Sequence, residues 1–258
     1  RLAVRPGGDE LVVKSGATVR IRARDMSSGT SFELPNGDGD IAASEQFVYV
    51  TANCGAITSL THDGTAVASY KDPEKSIYFP IFAPDGLLFC VLSLDDYLGE
   101  QDEIIALDAQ TLQPRHRFGL SLLNDVRGMV VVGEELFVCD TGNDRLQVFS
   151  LAGEHRRSIT GEWKRPAALC FVKDRLYLVE EEDGEDAEVD EEGELLYPLR
   201  GRHIFVLSLQ GDTLQVYTNP VEGQLFSETL CCFDGKLLAP VRDENSVFLV
   251  GVVALAGA

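Results

Sequence analysis

Eleven of the fifteen residues from Glu180 to Glu194 are carboxylic acids, and none of the fifteen is basic. They belong to a longer irregular stretch, Glu180 to Arg202, with the sequence EEEDGEDAEVDEEGELLYPLRGR. A second acidic stretch, Ser93 to Glu103, has the sequence SLDDYLGEQDE. Carboxylates at this density attract cations, and the chemistry they offer is of two kinds. One is metal binding. Asp183, Asp186, Glu188 and Asp190 supply the oxygens a hard cation takes, yet the spacing of an EF-hand loop is missing, so weak calcium binding without a defined cage is the expectation. The other is docking of a protein with a basic surface, in which acidic flanks steer and apolar anchors bury area. Asp95, Asp96 and Tyr97 in the shorter stretch, and Glu181, Glu182, Asp183, Asp186, Glu188, Leu196 and Tyr197 in the longer, carry that pattern. A solvated loop without a partner competes with it, because like charges so close repel and resist folding.

The chain as a whole has 42 acidic against 22 basic residues, a net charge of −20. Such a surface repels phosphate backbones and anionic lipid, which argues against nucleic acid as a partner. No apolar run reaches the roughly 18 residues of a membrane helix, so direct membrane insertion is not expected. Six cysteines (Cys54, Cys90, Cys139, Cys170, Cys231 and Cys232) form no CxxC pair and fall in or beside apolar runs such as LLFC, LFVC and LCCF. Buried free thiols fit them, and free thiols suit an intracellular, reducing compartment. Arg1 to Gly8 lacks the apolar segment of a signal peptide, and a start at Arg is expected for a fragment or a processed product. No nucleophile elbow, P-loop or dinucleotide fingerprint is present.

The elements that would position these residues follow a repeat. LFVCDTGNDRLQVFSLAGE (Leu136 to Glu154) and FVYVTANCGAITSLTHDGT (Phe47 to Thr65) align without a gap. Each is a strand, a polar turn, a strand and a tight Gly turn, with one apolar piece before it and one extended piece after. Four short strands in about 40 residues is the period of a propeller blade. The unit recurs approximately over 1–36, 37–72, 77–120, 124–162, 164–219 and 225–258. The expected fold is thus a single all-β domain, a six-bladed β-propeller of four-stranded antiparallel blades, the last blade with strands enough for only three. Both acidic stretches lie between the second and third strands of their blades, so they should decorate one face. The stretch 180–202 is an insertion in the fifth blade.

The segment Arg127 to Ile159, RGMVVVGEELFVCDTGNDRLQVFSLAGEHRRSI, resembles an NHL repeat, above all in DTGNDRLQVF. There Asp140 and Asn143 are expected to bond the turn, Gly142 to relax it, and Arg145 to pair with a carboxylate of a neighbouring blade. The resemblance implies a propeller scaffold, and among such scaffolds RNA readers carry a basic face that this chain lacks. Zinc lyases of that kind use histidines at the central tunnel. His62 and His155 are expected in tight outer turns, His116 on an outer strand and His203 at the start of a third strand, none on an inner one. NDVRGMVVVGEELFVCD also resembles the Asn-Asp strand entry of calcium-dependent lactonases, which would make Asn124 and Asp125 metal ligands with Asp40 as a further oxygen donor. A full tunnel set of carboxylates is missing, and turn capping explains the same residues. A noncatalytic scaffold that binds protein, without cofactor, is the better expectation, and a metal-dependent hydrolase is the alternative.

Overall fold

The computed structural model describes residues 1–5, 10–23, 29–34, 39–52, 55–94, 102–181, 200–219, 225–226, 229–233, 236–242 and 248–253. The first sheet contains β1 (Leu2–Val4), β2 (Glu10–Ser15), β3 (Thr18–Ala23) and β4 (Gly29–Glu33). The second contains β5 (Ile41–Ala43), β6 (Val48–Ala52), β7 (Ala56–Leu60) and β8 (Ala66–Lys71). The third contains β9 (Ser76–Phe82), β10 (Leu87–Ser93), β11 (Asp102–Asp108) and β12 (Pro114–Leu123). The fourth contains β13 (Val126–Val132), β14 (Glu135–Asp140), β15 (Arg145–Ser150) and β16 (His155–Ile159), with a 3-10 turn at Thr141–Asn143. The fifth contains β17 (Pro166–Val172), β18 (Arg175–Glu181), β19 (Arg200–Leu207) and β20 (Thr213–Thr218). Each is an antiparallel meander paired in sequence order.

The last sheet differs. Its strands are β21 (Leu225–Phe226), β22 (Cys231–Phe233), β23 (Lys236–Arg242) and β24 (Phe248–Val253). β24 pairs with β23 from Leu237 to Arg242, so one edge of β23 is taken along its length. β21 and β22 must then share the other edge, at Val241–Arg242 and Lys236–Leu238 respectively. This sheet is three strands across, its first strand broken in two. Four-stranded antiparallel blades are as expected, but five are complete rather than six: the last sheet, expected to hold only three strands, is three across, and its described residues supply no outer strand. β1, β5, β9, β13, β17 and β22 nevertheless touch in succession, and β22 touches β1.

The core is divided into wedges between neighbouring sheets. Leu136 and Val138 pack with Phe89, Val91 and Ile104 of the third sheet, whereas Phe137 and Cys139 pack with Leu169, Leu176 and Leu178 of the fifth. Successive residues of a strand face opposite sides, which is why LFVC and LLFCVL are unbroken apolar runs instead of alternating ones. The outer strands β16 and β20 have one wet edge and are mostly exposed.

Trp163 sits in the connection between the fourth and fifth blades and is 1% exposed. Its ring meets Phe205 edge-on at 6.1 Å, inside the wedge that holds Phe137 and Leu176. A polar neighbourhood in sequence thus conceals the largest buried side chain. Trp163→Ala should destabilise the protein by about 3–5 kcal/mol in equilibrium urea unfolding. A loss under about 1 kcal/mol would mean the wedge is not close-packed there.

Candidate functional site

Strand direction decides what each face carries. First strands start, second strands end and fourth strands end on the same face, so blade-to-blade connections share it with the turns between second and third strands. Residues 94–101 follow β10 and residues 182–199 follow β18, both second strands. Both acidic segments therefore leave from one face, termed here the insertion face.

Of the expected docking residues, Asp95, Asp96, Tyr97, Glu182, Asp183, Asp186, Glu188, Leu196 and Tyr197 lie outside the described residues. Glu181 differs from expectation. It is the last residue of β18, 2% exposed, with Oε2 accepting from Arg165 Nη2 at 3.0 Å and its N–H donating to the Arg165 carbonyl at 2.9 Å. Asp102 and Glu103, expected to close the shorter insertion, are also buried in strand β11. The pleat continues past the point where composition turns acidic, because backbone pairing and an arginine partner offset the burial of charge.

The three residues weighed as metal ligands are not brought to one point. Asp40 ion-pairs with Arg1 (Oδ1 to Nε, 2.6 Å) and accepts from the Phe79 N–H at 3.1 Å. Asp125 bridges Arg127 Nε at 2.6 Å and Arg165 Nη2 at 3.0 Å. Asn124 packs against the next turn: a Cβ on Gly142 would lie 2.7 Å from its Nδ2, so Gly142 is there for close approach. Asn124 N–H donates to Asp140 Oδ1 at 2.8 Å. Among the described residues no group of three or more His, Cys, Asp or Glu side chains is placed to hold a metal ion. His62 lies in an outer turn, His116 and His155 on outer strands and His203 within β19. The described cysteines are free; Cys90, Cys139, Cys170 and Cys231 are buried, and burial pushes the Cys231 thiol up to about 12.

What the insertion face does carry is a set of carboxylates bonded across blade junctions. Asp40 of the second blade accepts from Phe79 N–H of the third, and Asp102 of the third from Val126 N–H of the fourth at 2.7 Å. Asp144 of the fourth blade accepts from Arg165 N–H of the fifth at 2.7 Å, and Thr141 donates to the Pro166 carbonyl at 2.6 Å. Each junction thus ties one blade to the first strand of the next. Phe79, Asp125, Asp144 and Arg165 have left-handed backbones at these points (φ 42–52°). Such conformations cost of order 1 kcal/mol or more outside glycine and persist where surroundings over-determine them. Asp140 organises the fourth blade internally. Its carboxylate is fully buried and accepts from Asn124, Asn143, Gln147 and Arg145. Arg145 pairs with Asp140 of its own strand pair at 2.7 Å, correcting the expected pairing with a neighbouring blade, and only its Nη2 reaches across, to the Leu122 carbonyl.

First strands of the third, fourth and fifth blades each carry a bulge near the insertion face. Pairing shifts between Phe89 and Val91 opposite Tyr78–Ile81, between Val126 and Gly128, and between Pro166 and Ala168. These strands line a central cavity of about 480 Å³. Sequence reasoning passed over Arg127, which lines it, as well as Arg165 and Asp102. A lone arginine opening the apolar run VRGMVVV was the signal for the first.

The search against family models finds no match, and the search of curated proteins matches none. Solved structures do match. BamB from Moraxella catarrhalis is 15% identical, with a TM-score of 0.57 over 100% of this chain and 83% of that one. A protein of unknown function from Bacteroides caccae is 11% identical, with a TM-score of 0.61 over 92% and 84%. A nidogen/laminin complex is 14% identical, with a TM-score of 0.63 over 84% and 78%. At these identities the likeness defines the class by fold, a β-propeller of four-stranded antiparallel sheets. It shows the fold alone and no particular family.

Asp102 and Asp140 are both buried, yet they should respond oppositely to neutralisation. Among the described residues Asp102 Oδ1 has no hydrogen-bond partner, and burial raises its carboxyl above the ordinary range despite the bonds from Val126 N–H and Ser93. The folded state then holds this proton more tightly than the unfolded chain, so ionisation costs stability above the usual aspartate pKa near 3.9, and the cost fades as pH falls toward it. Asp102→Asn keeps an acceptor for Val126 N–H; it should raise the thermal midpoint at pH 7–8, with the gain shrinking by pH 4. Asp140→Asn turns an NH₂ toward Arg145 and Gln147 and should cost roughly 3–5 kcal/mol at neutral pH. Equal losses in both variants, independent of pH, would contradict these assignments.

Proposed function

We propose that this chain is a noncatalytic propeller that binds a protein with a basic surface through its insertion face, as a domain or subunit of a larger assembly. The observation that carries the reading is the common departure of 94–101 and 182–199 from one face, beside junctions held by carboxylates bonded to the next blade. Long loops on a rigid scaffold are where binding usually resides. Asp95, Asp96, Tyr97, Glu182, Asp183, Asp186, Glu188, Leu196 and Tyr197 are the proposed contacts, acids for steering and Leu/Tyr for buried area. Glu181 is withdrawn from that set, since its side chain is already engaged by Arg165. The nidogen of the matched structure stands in a complex with laminin, a precedent for the fold as a protein-binding surface. We take the last sheet as a sixth blade that closes the ring and the fourth as NHL-like in its turn chemistry. A reducing intracellular compartment is proposed, supported by the free described cysteines.

A photo-crosslinking amino acid at Asp96 or Leu196 should trap a defined protein from native extract, and the yield should fall steeply with added salt because salt screens charge steering. The same probe at Glu134, in a turn of the opposite face, should trap little. Replacing 182–199 by a short Gly/Asn turn should remove the Asp96 adduct while leaving the thermal midpoint within about 2 °C, as the segment lies outside the repeat of the blades. Equal trapping from both faces, or an adduct indifferent to the deletion, would sink the docking face.

A further inference from the structure

The cavity at the centre of the ring is unlike the charged surface around it. Its far end is lined by Val4, Ala43, Phe82, Val131 and Phe171, and its middle by residues such as Met129 and Leu230. Charge enters at the insertion-face end alone, as Arg1, Asp40 and Arg127. Its volume of about 480 Å³ falls within the roughly 300–1,000 Å³ of small-molecule pockets, which are mostly apolar with a few placed polar groups. Asp40 is committed to Arg1 and to the Phe79 N–H. Arg127 is the residue that the bulge between Val126 and Gly128 takes out of register. Bulges re-aim side chains and are over-represented beside functional sites. Phe79, in a second bulged stretch, is held left-handed on the same rim. Arg127 Nε is anchored to Asp125 Oδ1 at 2.6 Å, which fixes the direction of the guanidinium, a group of five donors suited to carboxylate recognition.

We infer that this cavity binds a small aliphatic monocarboxylate, its head group at Arg127 and its apolar chain running down the funnel toward Val131 and Phe171. None of this rests on the docking segments. Asp40 and Asp125 balance the two arginines, and the net charge of −20 gives an anion no long-range help, so the apolar chain must provide most of the affinity. Chain-length dependence is therefore the first signature. Each added methylene should tighten binding about fourfold until the funnel is full.

The test is calorimetric titration of the full chain with hexanoate, octanoate and decanoate, kept below micelle formation, with decanol and decylamine as head-group controls. One equivalent of decanoate should bind, tighter than octanoate, and at least tenfold tighter than decanol or decylamine. Arg127→Met should erase the preference for carboxylate over alcohol without weakening decanol, and Arg127→Lys should restore part of it. Asp125 keeps Arg165 as a partner in both variants, so the rim should stay folded. Val131→Trp, which fills the funnel, should abolish binding of every probe, and circular dichroism separates that from unfolding. No saturable binding, equal binding of the three head groups, or a carboxylate preference that survives Arg127→Met would each overturn the proposal.

Discussion

Every blade in this chain has two apolar faces, and only another blade can cover them. A sheet whose middle strands read LFVC or LLFCVL has no side to turn toward water, so the sheets must stack face to face, and the stack must bend back on itself. This is the constraint from which the rest follows. It places the wedge cores between sheets, leaves the outer strands mostly exposed and brings first strands together around a cavity. Ring closure lets a narrow last sheet persist, since Cys231, Phe233 and Leu238 are covered by Leu11 of the first sheet. No disulfide is needed for this, and the described cysteines serve as small apolar side chains within the stack.

Packing of apolar faces is not directional, and it would tolerate neighbouring blades sliding past one another. The carboxylate bonds across the junctions remove that freedom. Asp40, Asp102 and Asp144 each accept an N–H in or just before the first strand of the next blade, so the heights of the first strands of the third, fourth and fifth blades are set by charge-assisted bonds as well as by contact area. The same junctions hold the bulges and the left-handed residues that shape the cavity rim. Ordinary strands would run straight there. The insertion face thus combines a fixed floor with two long acidic segments, whereas the opposite face carries tight Gly turns such as those at Gly86 and Gly153.

The blade pattern was legible in the sequence because it rests on short-range signals, apolar runs of strand length between Gly and Asp turns. The topological consequence, two insertions on one face, was equally legible once second and third strands were assigned. Charge composition misled at the edges of the insertions. Glu181, Asp102 and Glu103 look like loop acids but are strand residues, and the basic side chains or backbone N–H groups opposite them in space explain why. Arg145 was read as reaching across blades, yet Asp140, five residues before it, is nearer. Trp163 lay among Gly, Glu and Lys, and its burial depends on Phe205, more than 40 residues away. The three-strand width of the last sheet was legible in the strand count of 225–258, but the break of its first strand into β21 and β22, sharing one edge of β23, was not.

If the ring is one structure held by mutual coverage of its faces, it should also open as one. Native-state hydrogen exchange resolved by peptide tests this directly. Amides of the second and third strands in every complete blade should exchange with a common opening free energy, equal to that of global unfolding. They should shift together when one wedge is weakened. Blades that exchange in sequence, each with its own opening energy as in an open solenoid, would contradict a closed ring and the rigid face built upon it.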